Sequence, residues 1–475
     1  MRIGFVSPSV LGHLHPMITL ARALQSRNHD VVFMALPEAE PSIRAANLAF
    51  VPSCDFPAGS LNKMVYQLSK RQGEDALYFT LRCLAATADA MFDRLPAMLL
   101  SAGVDAVVVD SHHFYVELVP MSLGLPYVHV SNALHFDYSG YTPLCVYDWP
   151  HESTPEALAR NRKGVARFRK MLRQTHAGAR AYAKRVGLKI DWRNPYATVS
   201  KLAWLTQTPK EFDFKGSHWP SEFHHTGPFH DDIGRINIEF PWERLTGEPL
   251  IYASMGTLQN GLPHIFRVIV TAAAAQKDVQ LVLSVGDHLD PEQIGPLPSN
   301  AILVKSVPQL ELLKRASLCV THGGLNTVLE ALAQGVPQVA IPVSNDQPGV
   351  AARVADKKTG LFLSPKELSA SRLSFLLDEV LSNSTYRDNA RYFQKVIAGR
   401  NGTTAAADVL ERAFGLTTTT GKSLASGYSI APVVSCDDFV RTPNCRKPAG
   451  ARPFDSFTIP SPGSLLRQNP EVRYW

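Results

Sequence analysis

Ten consecutive residues in the second half of the chain, residues 321–330, concentrate groups that can bind an anion. They read Thr-His-Gly-Gly-Leu-Asn-Thr-Val-Leu-Glu. Thr321, the first of them, is the end of an apolar stretch that is predicted to be a strand. A helix is predicted to begin near Leu325, and its first turn would present unpaired N–H groups and about half a positive charge, which glycines allow a ligand to approach. The segment predicts a diphosphate site, although two glycines could also serve only to turn a strand into a helix.

Side chains of this segment extend the predicted site beyond the phosphates. His322, Asn326 and Thr327 can donate hydrogen bonds to an anion. Glu330 lies one helical turn beyond Asn326, so its carboxylate can accept hydrogen bonds from the hydroxyls of a ribose. These residue types together suit a diphosphate that is joined to a ribose.

A second candidate centre lies near the N-terminus, where residues 8–16 read Pro-Ser-Val-Leu-Gly-His-Leu-His-Pro. We predict that they form the loop between the first strand and the first helix, at the carboxyl edge of a sheet. Histidine has the near-neutral pKa that a general base needs to take a proton from a hydroxyl. A carboxylate beside it would stabilise the charge that it gains, and Asp110 is predicted to project from the same sheet edge.

Alternating strands and helices would position both centres. The predicted strands are residues 2–7, 31–35, 105–110 and 127–130 in the first half, and 250–254, 280–285, 301–304, 317–321 and 338–342 in the second. A helix is predicted at about 16–27, after the histidine loop. Because apolar strands that alternate with helices are typical of parallel sheets buried on both faces, the predicted fold class is α/β, with two doubly wound, Rossmann-like domains facing across a cleft.

Breaks in this pattern give the predicted domain boundaries. An N-terminal domain spans 1–226, a linker 227–248 and a C-terminal domain 249–415, whose last helix could pack back on the first domain. Residues 416–475 begin with four threonines and show little periodicity, which predicts a mostly disordered tail. A chain of 475 residues is long enough for two hydrophobic cores.

Two long segments, at about residues 60–100 and 131–195, interrupt the regularity of the first domain. They are rich in Phe, Tyr, Leu and Met. Such insertions at the carboxyl edge of a sheet usually build the walls of a ligand pocket, so they predict an apolar lobe.

Composition limits the partners and the location. The formal charge is only +6, without a basic run, which argues against nucleic acid. No stretch reaches the roughly eighteen apolar residues that cross a bilayer, and the N-terminus lacks a secretory pattern. Six scattered cysteines fit reduced thiols, so we expect a soluble, cytoplasmic protein.

Several motifs together resemble the signature region of the UDP-dependent family-one glycosyltransferases. They are Pro308-Gln309, His322-Gly323-Gly324-x-Asn326-Thr327-x-x-Glu330, Gly335-Val336-Pro337 and Pro342-x-x-x-Asp346-Gln347. The sequence of these motifs is most similar to bacterial members of the zeaxanthin and macrolide glycosyltransferase kind, and the resemblance covers roughly residues 1–414. This resemblance implies the two-domain GT-B fold.

The resemblance also implies which residues hold the donor. His322, Asn326 and Thr327 would hold the diphosphate, Glu330 the ribose, and the pair Asp346 and Gln347 the sugar hydroxyls. In relatives an aromatic residue commonly stacks on uracil two positions before the Pro-Gln, where this chain has Ser306, so backbone near Val307 and Gln309 would hold the base. The turn after residue 251 resembles the family's glycine turn, which adds Gly256 and Thr257 at the phosphates, with Gly324 opposite.

For the chemistry, the resemblance singles out one histidine. Gly12-His13-x-x-Pro16 matches the family's catalytic loop and Asp110 matches its strand-end aspartate. We therefore expect His13 to be the base and Asp110 to orient it, with pocket-lining roles for His15, His112 and His113. No further metal ligands stand at a recognisable spacing and the chain has no Asp-x-Asp, so we expect neither a metal nor a cofactor.

The expected activity is inverting transfer of a hexose, taken to be glucose, from a UDP-sugar to a hydroxyl of a small apolar acceptor such as a carotenoid, macrolide or flavonoid. A lipophilic acceptor would bring peripheral membrane contact. Three alternatives remain: a sugar-nucleotide epimerase, which has no use for an apolar lobe; a Rossmann oxidoreductase, although the first loop lacks Gly-x-Gly-x-x-Gly; and a catalytically silent nucleotide-sugar-binding regulator, although His13, Asp110 and Asp346 are present.

Overall fold

Two parallel β-sheets, one in each half of the chain, organise the fold. The computed structural model describes residues 1–215, 219–230 and 238–416, and these residues belong to one compact unit of the chain. The two sheets confirm the predicted α/β class with two Rossmann-like domains. Of the predicted linker, residues 231–237 lie outside the described residues, and so does the predicted tail beyond Leu416.

The first sheet has seven parallel strands in the order β3-β2-β1-β4-β5-β6-β7. The strands are β1 Arg2–Val6, β2 Asp30–Ala35, β3 Ala49–Pro52, β4 Ala106–Asp110, β5 Tyr127–Ser131, β6 Trp204–Thr206 and β7 Phe223–His225. The strand order reverses between β1 and β4. In open parallel sheets, ligands bind at the carboxyl ends of the strands at such a reversal.

Seven helices accompany this sheet. They are α1 Leu11–Gln25, α2 Glu40–Ala45, α3 Ser60–Ser69, α4 Gly73–Ser101, α5 Leu118–Leu123, α6 Pro155–Thr175 and α7 Ala177–Arg185, with a 3₁₀ turn at Pro37–Ala39. The prediction that the first helix starts near Pro16 was wrong, because Pro16 lies inside α1. His13 is therefore a residue of the first helical turn and not of a loop.

The second sheet has six parallel strands in the order β10-β9-β8-β11-β12-β13. Its strands are β8 Leu250–Ser254, β9 Gln280–Ser284, β10 Ala301–Val304, β11 Ala316–Thr321, β12 Gln338–Ala340 and β13 Gly360–Phe362. The helices of this half are α8 Pro263–Ala274, α9 Gln309–Leu313, α10 Leu325–Ala333, α11 Gln347–Asp356, α12 Ala370–Ser382, α13 Ser384–Ala398 and α14 Gly402–Ala413, with 3₁₀ turns at Trp242–Arg244 and Pro291–Ile294.

Strand alternation explains how the first sheet is buried on both faces. In β2, Val31 and Phe33 pack on the side of α1, whereas Val32 and Met34 pack against α4. The last helix, α14, joins the α1 side, where Arg27 binds both Asp408 and Glu411. The end of the described chain thus stabilises the first sheet.

One apolar cluster joins the two halves. It contains Leu134, Phe136, Leu144 and Phe168 from the first half, and Leu325, Val328, Val350 and Phe393 from the second. A buried ion pair lies in the same interface, with Arg353 Nε and Nη2 at 3.0 and 2.8 Å from Asp213 Oδ1. Burying apolar surface stabilises such contact by about 25 cal/mol per Å², so the halves are held together closely.

In the described part of the chain, none of the helices combines the length and the apolar character that spanning a membrane requires.

Candidate active site

His13 and Asp110 meet because two neighbouring strands end at one edge. β1 and β4 pair in parallel, with Val6 opposite Val109, so the chain leaves both strands at the same level. Asp110 is the last residue of β4 and is fully buried. After β1 the chain turns into α1, whose first turn places His13 over Asp110, with His13 Nδ1 at 2.8 Å from Asp110 Oδ2.

The environment of this pair favours an imidazole that can take and hold a proton. Burial by itself lowers the pKa of His13, but the charge of Asp110 and its hydrogen bond outweigh that effect, so the pKa lies above its usual value. Because Nδ1 faces Asp110, Nε2 is the nitrogen that can accept a substrate proton. The arrangement matches a general base with its orienting carboxylate.

Asp110 is itself held by several donors. Burial alone would raise the pKa of its carboxyl, but the facing His13 and the hydrogen bonds to the carboxylate lower that pKa well below its usual range. Oδ2 also accepts from Asn132 Nδ2 at 2.7 Å, and Oδ1 accepts from the backbone N–H of His112 at 2.9 Å. Asp110 is therefore a fixed negative charge beneath the base.

His112 makes a third neighbour that sequence reasoning assigned only to the pocket wall. Ligand atoms of His13, Asp110 and His112 lie within 4.8 Å of one another, close enough to hold a metal ion. The ring of His112, however, bonds through Nε2 to Leu134 O at 3.2 Å. His113 is buried as well, and burial lowers its pKa to about 4, so it is neutral at physiological pH.

The second centre lies around His322, between β11 and α10. Its ring fits between two glycines: a Cβ on either Gly256 or Gly324 would approach the ring to 2.4 Å. Gly256 also has a φ of +71°, a backbone conformation that favours glycine. The two glycines flanking this histidine are thus required by packing, and the prediction from the sequence placed both of them at the phosphates.

His322 is prepared for a ligand. Burial lowers its pKa to about 4, so its ring is neutral at physiological pH, and Nδ1 is buried without a hydrogen-bond partner among the described residues. A buried polar atom without a partner costs free energy that a ligand oxygen would relieve. The ring of His322 lies against Gly324, at the N-terminus of α10, so this place fits a bound anion.

Asn326, in the first turn of α10, reaches across to the first half. Its Nδ2 donates to Gly12 O at 2.5 Å. That carbonyl lies four residues before Pro16, and Pro16 has no N–H to donate to it, so it is open to a partner outside the helix. Pro16 thus leaves α1, which carries the predicted base, free to contact α10, which carries the predicted phosphate site.

The residues predicted for ribose and base contact each other. Gln309 Nε2 donates to Glu330 Oε2 at 2.5 Å, and Tyr252 Oη donates to Gln309 Oε1 at 2.7 Å. Glu330 is only 2% exposed. Thr327 lies 3.5 Å from Gln309, at the limit of a hydrogen bond. Glu330 is thus held in one orientation before any ribose arrives, and Tyr252 is a supporting residue that sequence reasoning missed.

The predicted sugar-binding pair separates into two roles. Asp346 Oδ2 accepts from the backbone N–H of Leu134, in the first half, at 2.9 Å. The Oε1 of Gln347 accepts from the backbone N–H groups of Val343 and Ser344 at 2.8 and 3.0 Å. The carbonyl of Gln347 is therefore engaged by its own loop. Its Nε2 also donates to Gln259 Oε1 at 2.6 Å, so one amide N–H remains to serve a sugar.

The remaining predicted donor residues differ in exposure. Thr257 is exposed beside the glycine turn. Val307 is buried and packs with Tyr252, so that only its backbone can contact a base, and Ser306 next to it is exposed. The phosphate and base positions thus lie along the carboxyl ends of β8, β10 and β11.

Comparison with known proteins finds similarity to sugar transferases. A family model described as UDP-glucoronosyl and UDP-glucosyl transferase matches residues 244–399. A zeaxanthin glucosyltransferase of Pantoea ananas is 27% identical over 430 residues, covering 90% of this chain and 98% of that protein. A demethyllactenocin mycarosyltransferase of Streptomyces fradiae is 28% identical over 421 residues, covering 86% of this chain and 85% of that protein.

A solved structure supports the fold. The glycotransferase of kitacinnamycin superposes with a TM-score of 0.66 at 24% identity, covering 87% of this chain and 98% of that chain. This similarity confirms the predicted GT-B architecture of two Rossmann-like domains.

Proposed function

The chain belongs to the family-one UDP-glycosyltransferases and is a glycosyltransferase, and we propose that it transfers glucose from UDP-glucose to a hydroxyl of a small apolar natural product, with inversion at the anomeric carbon. The observation that carries this proposal is the 2.8 Å contact of His13 with Asp110, on a helix that touches the N-terminus of α10. A base and an anion site thus face the same space.

The proposed reaction is a direct displacement. The acceptor hydroxyl gives its proton to His13 Nε2, and its oxygen attacks the anomeric carbon opposite the leaving UDP. The bond between that carbon and the phosphate oxygen breaks, and its electron pair leaves with UDP. Asp110 stabilises the imidazolium that forms, as a carboxylate does in related base pairs.

Charge that develops on the leaving diphosphate needs donors. The N-terminus of α10 offers N–H groups, and a phosphate beside His322 would raise the pKa of that ring and turn Nδ1 into a further donor. The apolar interface around Leu134 and Val328 keeps water away from the donor. These groups suffice in our proposal, which involves no metal and no cofactor.

Aromatic side chains beside the base support an apolar acceptor. The ring of His112 lies 5.1 Å from that of Phe136, which stacks on Phe168 at 5.2 Å. The two relatives named above are a zeaxanthin and a demethyllactenocin transferase, which supports a hydroxylated natural product as acceptor.

A cytoplasmic location is part of the same proposal. The four cysteines within the described residues, Cys54, Cys83, Cys145 and Cys319, are buried free thiols. Burial raises the pKa of Cys54 to about 11, which keeps this thiol unreactive.

The test combines donors with acceptors. The purified protein is incubated with UDP-glucose, UDP-galactose or TDP-glucose and with a panel of carotenoid, macrolide and flavonoid acceptors, and products are identified by mass spectrometry. We expect a hexoside formed best from UDP-glucose, with a β-anomeric proton coupling by NMR. Product with α configuration would overturn inversion, a preference for TDP-glucose would overturn the donor, and no product from any pair would overturn transfer to such acceptors.

A further inference from the structure

Two buried amides connect the base to the helix that faces the phosphates. Asn132 directly follows β5 and is 1% exposed, and Gln207 directly follows β6 and is fully buried. Because β4, β5 and β6 are neighbours in a parallel sheet, their carboxyl ends lie side by side. Asp110, Asn132 and Gln207 therefore form a row along one sheet edge.

Hydrogen bonds join this row into a chain of contacts. Asn132 Nδ2 donates to Asp110 Oδ2 at 2.7 Å, the oxygen that also faces His13. Gln207 Nε2 lies 3.2 Å from Asn132 O and 3.4 Å from Asn132 Oδ1. The same nitrogen donates to Asn326 Oδ1 at 3.2 Å, in the first turn of α10. The contacts thus run from the base to the predicted phosphate site.

Backbone groups fix the direction of these amides. Phe229 N–H donates to Gln207 Oε1 at 2.9 Å, so the nitrogen of Gln207 must point toward Asn132 and Asn326. The amide nitrogen of Asn326 in turn bonds to Gly12 O, next to His13. The result is a closed ring of contacts through both halves of the molecule.

We propose that Asn132 and Gln207 are positioning residues that couple occupation of the phosphate site to the orientation of the base, an inference that rests on the transfer reaction proposed above. Asn132 holds Asp110 Oδ2 toward His13, and Gln207 links Asn132 to Asn326. A diphosphate that binds at α10 changes the hydrogen bond between Asn326 and Gln207. This change passes through Gln207 and Asn132 to Asp110. Neither amide touches a reacting atom.

His13 can report this coupling. The titratable groups that face it are Asp110 at the end of β4, His112 and His113 from the segment that follows, and Asp346 from the second half. Neither Asn132 nor Gln207 has a titratable side chain. A changed titration of His13 after an amide substitution therefore reports a changed position of Asp110 and not a lost charge.

Kinetics give the first test. Gln207→Met and Asn132→Ala are compared with Gln280→Met, which removes an amide that also bonds to two backbone groups but lies away from the site. We expect kcat to fall about tenfold in the first two, the upper end of the range for one hydrogen bond between neutral groups. The acid limb of the rate profile should move to lower pH, because an Asp110 that is no longer held toward His13 raises the pKa of His13 less. The Gln280 variant should lose thermal stability only.

Where Gln207→Met does not fold, Asn132→Ala carries the test, since it breaks the neighbouring contact of the same chain without adding a charge. Wild-type kcat with an unmoved acid limb in folded variants overturns the proposal. A limb that moves to higher pH overturns it too.

A binding measurement separates this inference from the proposed reaction. His13 is titrated by NMR in ¹³C-histidine-labelled protein, with and without UDP. We expect UDP to raise the pKa of His13 in the wild type and in Gln280→Met, and to raise it by less than half as much in Gln207→Met. Equal shifts in all three proteins would overturn the coupling. This readout needs no turnover, so it stands even if no acceptor is glucosylated.

Discussion

Two histidines at corresponding places show how the molecule assigns different chemistry to one residue type. His13 and His322 each follow a parallel strand and lie in or just before the first turn of a helix. His13 has Asp110 beneath it, and its pKa is raised. His322 lies between glycines, its pKa is lowered to about 4, and its Nδ1 is unpartnered among the described residues. The ring of His13 already has a hydrogen-bond partner in Asp110, whereas Nδ1 of His322 would gain one when an anion binds.

The groups around each histidine, and not its position in the fold, decide which chemistry its ring can perform. A buried carboxylate makes a histidine a base because it stabilises the protonated form. Burial that outweighs the charge of a neighbour, as it outweighs that of Asp346 at His322, keeps a histidine neutral until an anion binds. Substitutions that remove one of these neighbours or one of the two rings test this difference.

Replacing His13 should have the largest effect. In His13→Ala, turnover should fall by about 10²- to 10⁴-fold, the usual contribution of a positioned general base. Affinity for UDP, measured by calorimetry, should stay unchanged, because the predicted diphosphate site lies in the other half. If His15→Ala shows the large loss and His13→Ala does not, His15 is the base.

Removing the charge beneath the base should have the next largest effect. The loss of turnover in Asp110→Asn should be about 10- to 100-fold smaller than in His13→Ala, because the imidazole can still take a proton. A base works only when unprotonated, so activity is lost as pH falls through the pKa of His13. Asp110 raises that pKa, so without it the acid limb of kcat/KM should move to lower pH. An acid limb that moves to higher pH would show that Asp110 does not set this pKa.

Replacing His322 should affect binding more than chemistry. In His322→Ala, affinity for UDP-glucose should weaken by about 1.5 to 3 kcal/mol, the range for a hydrogen bond to a charged group. His264→Ala, on an exposed histidine of the same half, is the matched control. Affinity of the wild type should strengthen as pH falls from neutrality, since the bound diphosphate raises a pKa that starts at about 4. Equal affinity in all three proteins would remove His322 from the donor site.

Chelation should have the smallest effect. EDTA treatment followed by assay in metal-free buffer should leave turnover within about twofold, because helix and histidine donors supply the stabilisation of charge. Loss of activity that zinc or magnesium restores would show that the cluster of His13, Asp110 and His112 holds an ion.

Sequence patterns predicted the long buried strands well. Apolar runs such as Ala106–Asp110 and Leu250–Ser254 were placed within a residue or two, because strands buried on both faces carry continuous apolar sequence. Short strands such as Trp204–Thr206 and Gly360–Phe362 were missed because three residues carry no periodicity. The start of α1 was misplaced because a proline was taken as a helix beginning when it lies inside the helix.

The site was predicted only in part. Residue types within motifs identified His13, Asp110 and His322, whose pairing or isolation depends on strands that the sequence locates. Asn132 and Gln207 were missed, because an amide gains a role only through the partners that distant segments bring to it. The engagement of the Gln347 carbonyl by its own loop was missed for the same reason.

The most direct test of His13 as the base uses acceptors of graded acidity. Transfer rates of the wild type and of His13→Ala are measured across a series that runs from an alcohol through phenols of decreasing pKa. An acidic phenol ionises without help, so the ratio of the two rates should be largest for the alcohol and shrink steadily toward the most acidic phenol. A ratio that stays constant along the series would contradict the account, because His13 would then position the acceptor without taking its proton.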